Sequence, residues 1–171
     1  MVMSYWKPIE RYGLDRFAKD LAAAGGAGVI TPDIIPEEAA DWVAATDEAM
    51  VDRVFLVAPS SPAERIETVA RVSNGFVYAA STMGVTGTRD QVSVDARELV
   101  KRTKKLTAQP VCVGLGVSTP EQAGEVARYA DGVIVGSAFV RRVLEADSPA
   151  AAAASVAELA GQMAAAVRAA R

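Results

Sequence analysis

"PVCVGLGVSTPEQAGEVARYADGVIVGSAFV", residues 110–140, holds two apolar runs, PVCVGLG (110–116) and GVIVG (132–136). Each stops on glycine and small residues just before a helical pattern. An apolar run, a bare turn and an amphipathic helix make one β–α unit. Runs that are apolar throughout, rather than alternating, belong to parallel strands covered by helices.

The same unit recurs in both directions along the chain. MVMSY (1–5) reads as a first strand, followed by a helix from about Leu14 to Ala24 that Gly25 and Gly26 end. GVI (28–30) is a second strand, and PEEAADWVAATDEAM (36–50) opens its helix with proline and two acids. RVFLVA (53–58) and GFVYAA (75–80) are the third and fourth strands, with helices at 61–72 and near 93–106. The two opening runs are the fifth and sixth, backed by helices at 119–130 and 137–146. An alanine-rich stretch after Ser148-Pro149 reads as a final helix, its alanine accounted for by helix propensity.

Six such units suit either an open doubly wound sheet or part of a (β/α)8 barrel. Strand starts commonly about 20 to 27 residues apart fit the tight repeat of the barrel. A doubly wound nucleotide fold would show G-x-G-x-x-G after its first strand. Here that strand ends in SYWKP, and no Walker-type sequence follows any strand.

The totals narrow the function. The chain has 171 residues, 51% apolar and 23% charged, which fits one globular domain spanning 1–171. A net charge of −3 offers no basic footprint for nucleic acid. Apolar runs fall well short of the roughly 18 residues of a membrane span, and the N-terminus has no signal-peptide pattern. A cytoplasmic protein without membrane contact is expected. With no histidine there is no imidazole base and no His-ligated metal, and no cofactor is called for. The single Cys112 reads as core packing, having no histidine partner.

The bare strand ends carry the chemistry. In barrels, phosphate is often held by the loops after the last two strands and a helix N-terminus. Gly114 and Gly116 let backbone approach an anion, and Gly136-Ser137 place free amides and a hydroxyl at a helix start. Exposed amides and the helix dipole favour an anion by about 0.3–1 kcal/mol. STMGVTG (81–87), after the fourth strand, is a third glycine-rich loop on the same side. Tight β–α turns alone would explain one such loop; three at consecutive strand ends favour phosphate.

These motifs are specific. LVAPSSPAERI, GFVYAASTMGVTG, PVCVGLGVSTPEQA and ADGVIVGSAF closely resemble the α subunit of bacterial tryptophan synthase, as do MSYWKPIERYG and GGAGVITPDIIPEEA. The resemblance implies a (β/α)8 barrel that cleaves indole-3-glycerol phosphate to indole and glyceraldehyde 3-phosphate. It also implies a pyridoxal-phosphate β subunit as partner. Carried over by motif, Thr86, Gly87, Leu115, Gly116, Gly136 and Ser137 match the phosphate contacts. Tyr78 matches a strand tyrosine beside the substrate, and Tyr5 a tyrosine ending the family's third strand. Asp33 matches an aspartate on the loop near substrate and β subunit.

The match starts at what would be the family's third strand, so six parallel β–α units and a C-terminal helix are expected, a partial barrel. A whole barrel takes about 250 residues. The family's catalytic glutamate and aspartate lie on the two units without counterpart, so the chain alone is expected to be inactive. Lys7 stands where the family usually has asparagine. Open strand edges invite pairing, so a homo-oligomer is expected. The other reading is a phosphate-binding or regulatory module without chemistry.

Overall fold

Valine and isoleucine in two-residue alternation decide which way each strand faces. The computed structural model describes residues 1–80, 89–114 and 116–171, with backbone alone for 89–94. Its strands are β1 (Val2–Met3), β2 (Gly28–Ile30), β3 (Asp52–Val54), β4 (Leu56–Val57), β5 (Val77–Ala80), β6 (Val111–Gly114) and β7 (Gly132–Val133). All pair in parallel and in chain order, β1-β2-β3 and β4-β5-β6-β7. The helices are α1 (Trp6–Tyr12), α2 (Leu14–Ala23), α3 (Ala40–Glu48), α4 (Ala63–Val72), α5 (Arg89–Leu106), α6 (Pro120–Ala127), α7 (Ser137–Leu144) and α8 (Pro149–Ala170).

Alternate strand residues point to two different cores. Val29, Phe55, Val57, Val77, Val111 and Val113 face outward and pack with Ile9, Trp42, Ile66 and Leu99 of the helices. Ile30, Val54 and Tyr78 face inward, with Leu56, Phe76 and Ile134, and form the concave wall. This is the arrangement of a (β/α)8 barrel with part of its ring open.

Several expected elements come out differently, each for a local reason. The strand at 53–58 is parted at Phe55, whose N–H takes the Ser73 hydroxyl at 3.2 Å instead of a neighbouring strand. Helix α1 falls in residues 6–13, to which the sequence reading assigns no element. Pro8 sits in the first turn, where its missing N–H costs nothing. Asp33 accepts the Trp6 N–H at 2.8 Å and starts that turn, and Gly13, at φ 98°, bends the chain into α2. The helix expected at 36–50 is a 3-10 turn, Pro36–Glu38, followed by α3. The first and last expected strands shorten to two paired residues each, since each has one strand neighbour.

The long α8 lies on α6 and α7. Gly124 lets α6 approach closely, since a Cβ there would stand 3.3 Å from the Ala166 carbonyl oxygen. The alanine of α8 thus serves packing as well as propensity. Among the described residues α8 is also the one helix long and apolar enough, by length and composition, to cross a membrane. Leu159 and Met163 on it are buried against the rest of the molecule.

Candidate functional site

The tips of β6 and β7 stand side by side, and the two helices that leave them begin differently. Ahead of α6, the Thr119 hydroxyl accepts the Gln122 N–H at 3.3 Å. The Gln122 side-chain oxygen accepts the N–H groups of Thr119 at 3.1 Å and Ser118 at 2.8 Å. This capping box satisfies the helix start from within. Ahead of α7, Gly136 offers no side-chain cap. Nothing lies within 4 Å of where its Cβ would be, and Ser137 is exposed. The Gly136 carbonyl already accepts from Phe139 and Val140. Among the described residues no acceptor meets the Ser137 and Ala138 N–H groups, which stand at the positive end of the helix dipole.

Gly116 is exposed at φ 98°, a left-handed conformation that suits glycine. Gly114 is bare for another reason. A Cβ there would fall 2.1 Å from the Tyr78 hydroxyl oxygen and 2.9 Å from the Ile134 Cβ. Its missing side chain makes room for Tyr78, which is 2% exposed and packs with Ile30 and Val54 on the concave wall. Tyr78, Gly114, Gly116, Gly136 and Ser137 are thus gathered around the ends of β5, β6 and β7. Thr86, Gly87 and Leu115 lie outside the described residues.

Tyr5 and Asp33 occupy the other side of the open ring, after β1 and β2. Tyr5 is 69% exposed at the start of α1, and the exposed Asp33 carboxylate is engaged by the Trp6 amide. Lys7 points to solvent and pairs with Glu10, so its charge does not enter the concave wall. Cys112 faces inward beside Gly132. Burial pushes its thiol up to about 11, with the Asp131 charge adding and Arg171 and Lys104 opposing. A thiol so placed is protonated at neutral pH and no nucleophile.

Two features escaped the sequence reading. The Arg102 guanidinium donates to the carbonyls of Ser61 at 3.0 Å and Pro59 at 2.8 Å, pinning the turn after β4 from a distant helix. An apolar cleft of about 370 Å³ opens between that turn and the 32–36 loop, lined by Ile34, Ile35, Leu56 and Val57. The proline-bounded apolar stretch PDIIP was its sequence signal. Among the described residues no cluster of side chains could hold a metal ion.

A family model described as tryptophan synthase alpha chain matches residues 1–168. The tryptophan synthase alpha chain of Thermobifida fusca is 60% identical over 173 residues, covering 99% of this chain and 64% of the relative. That of Acidothermus cellulolyticus is 58% identical, covering 98% of this chain and 62% of the relative. Among solved structures, a chain of Mycobacterium tuberculosis tryptophan synthase superposes with a TM-score of 0.84 at 54% identity. It covers 98% of this chain and 62% of that one. A chain of the Pyrococcus furiosus tryptophan synthase a2b2 complex gives 0.80 at 31% identity. The protein thus spans less than two thirds of the length of these relatives.

Proposed function

The chain belongs to the tryptophan synthase alpha chain family, and on that premise we propose that it is the phosphate-holding portion of a lyase. The reaction is cleavage of indole-3-glycerol phosphate to indole and glyceraldehyde 3-phosphate. The observation that carries this reading is the uncapped start of α7, where Gly136 and Ser137 are exposed after β7, as Gly116 is after the neighbouring β6. A phosphate dianion supplies the acceptors that the Ser137 and Ala138 amides lack, and the helix dipole favours its charge. The apolar wall of Ile30, Val54, Leu56, Tyr78 and Ile134 suits an aryl group next to it. Thr86, Gly87 and Leu115 complete the cradle in this reading.

Chemistry needs more than a cradle. Cleavage requires groups that move protons at the glycerol and hold the indole N–H, and the family resemblance assigns these to a glutamate and an aspartate without counterpart among these 171 residues. Each positioned acid or base contributes roughly 10²–10⁴-fold. The chain by itself should therefore release indole on the order of 10⁴-fold more slowly than a full-length relative. A β subunit is its proposed partner, receiving the indole. A phosphate-binding or regulatory role without chemistry rests on the same open helix start, and the indole assay separates the two.

The binding test is thermal. Glycerol 3-phosphate at tenfold its dissociation constant stabilises the folded chain by about 1.4 kcal/mol, a Tm rise of about 3–5 °C. Gly136→Asp places a carboxylate against the phosphate and should abolish the rise while leaving the unliganded Tm nearly unchanged. No rise at millimolar ligand would remove the cradle, and indole release at the rate of a full-length relative would remove the claim of inactivity.

A further inference from the structure

We propose that the cleft between α6, α7 and α8 binds a small oxyanion, a phosphate monoester or a carboxylate, held by Arg141 and Arg142. The cleft has a volume of about 380 Å³, within the range that small-molecule sites occupy. It lies among helices, whereas the phosphate cradle proposed above lies at the strand tips. Helical spacing builds one wall. Ala138, Arg141, Arg142 and Glu145 recur at three- and four-residue steps and share one face of α7 and its C-cap. Leu159 of α8, itself buried, adds an apolar lining. Ser118 and Thr119, at the start of α6, complete it.

Charge selects the occupant. Among the described residues no carboxylate pairs with either guanidinium, not even Glu145 on the same face. Arg142 gives one N–H to the Ser155 hydroxyl at 3.3 Å, which steadies its guanidinium against α8 and leaves its other donors for a ligand. The Arg141 side chain meets no acceptor among the described residues. A guanidinium fork matches the paired oxygens of a carboxylate or a phosphate. The start of α6 adds to the same field. Its capping box satisfies the backbone, while Thr119 Oγ1 accepts from Gln122 and keeps its own proton to donate. The positive end of the α6 dipole borders the cleft there. Two guanidiniums against the one Glu145 carboxylate leave the lining with a net positive charge, enough to attract a small anion. The inference rests on the cleft and not on the lyase reading.

The test is a nuclear magnetic resonance titration of the chain with inorganic phosphate and, separately, with succinate. The Arg141 and Arg142 Nε–H signals report the cleft, and the Ser137 N–H signal reports the start of α7. Millimolar anion should shift both arginine signals along one saturating curve. Arg141→Gln and Arg142→Gln should each weaken that binding by about tenfold. Arg141→Lys, which keeps the charge without the fork, should weaken it less. Both side chains are exposed, so the unliganded Tm should stay nearly unchanged. A response to phosphate alone identifies a phosphate group as the part of the ligand that is held, and a response to succinate alone a carboxylate. Arginine signals that move with neither anion, a shift that never saturates, or a curve indifferent to the charge-removing variants would overturn the proposal. A still Ser137 signal beside responding arginines counts against the phosphate cradle alone, so the two readings fail separately.

Discussion

The two ends of the open barrel satisfy their backbone in opposite ways. Where β5, β6 and β7 begin, a polar side chain clips the turn. Asn74 Oδ1 accepts the Arg53 N–H at 2.6 Å ahead of β5. Gln109 Nε2 donates to the Ala70 and Ser73 carbonyls at 2.9 and 2.8 Å ahead of β6. Ahead of β7, Asp131 accepts the Val111 N–H at 2.9 Å and pairs with Lys104 at 2.8 Å. Where strands end, the tips of β6 and β7 present Gly116, Gly136 and Ser137 without such clips. Polar contacts do exist at that end, at Asp33 and Arg102 and in the α6 capping box that follows β6, so the contrast is confined to Gly116 and the start of α7. Donors left open cost stability, and the phosphate proposed above would complete them.

The largest effect expected of this contrast lies at the strand beginnings. Arg53 is 7% exposed and turned outward under α3. Its guanidinium donates to the Val72 carbonyl at 2.7 Å and the Thr46 hydroxyl at 3.2 Å, and it pairs with Asp47 at 2.5 Å. Arg53→Met fills the space but leaves these acceptors without their donor. Because Asp47 itself is largely in water, the expected loss is about 2–3 kcal/mol in urea unfolding rather than the full cost of a broken buried pair. The glycerol 3-phosphate affinity should not change. A loss below about 1 kcal/mol, or a change in affinity, would break the division between a structural end and the proposed binding end.

A smaller effect sharpens what glycine does at the strand tips. Gly114→Ala must push Tyr78 aside, since the new Cβ would lie 2.5 Å from the ring carbon that bears the hydroxyl and closer still to the hydroxyl. Overpacking of this kind costs about 1–3 kcal/mol. In a Tyr78→Phe background the cost should shrink, and the two changes should be non-additive, as for any pair in contact. Gly136→Asp, with open space around it, is expected to be nearly neutral for the fold. Equal costs at the two glycines would show that both are bare for the same reason.

Much of this was legible in the residues, and the rest needed partners distant in sequence. Unbroken apolar runs announced parallel strands, and Gly136-Ser137 announced an open helix start, because both signals are local. The break at Phe55 depends on a hydroxyl 18 residues away, and the early α1 on a carboxylate 27 residues away. Gly114 and Gly116 look alike in PVCVGLG. Only the neighbouring strand shows that one accommodates Tyr78 while the other adopts a left-handed turn. Tyr5, matched by motif to the end of a strand, and Asp33, matched to a loop near substrate and β subunit, both stand exposed after β1 and β2.

The smallest effect lies between the two ends, on the concave wall. Cys112 has its thiol raised to about 11, first by burial and then by the Asp131 charge below it. In the unfolded chain the same thiol ionises near the ordinary value of 9.0. Below that pH both states hold the proton and the shift has no effect on stability. From pH 9 to 11 the unfolded chain loses its proton while the folded chain keeps it, so stability falls as pH rises through this window. Discounted for the partial exposure of the side chain, the fall attributable to Cys112 is about 1 kcal/mol. It is read as the difference between the wild type and Cys112→Ala, whose own packing cost is the same at every pH. A difference that stays flat from pH 9 to 11 would mean that water reaches the wall as freely as it reaches the strand tips, and the division between ends would then not extend inward.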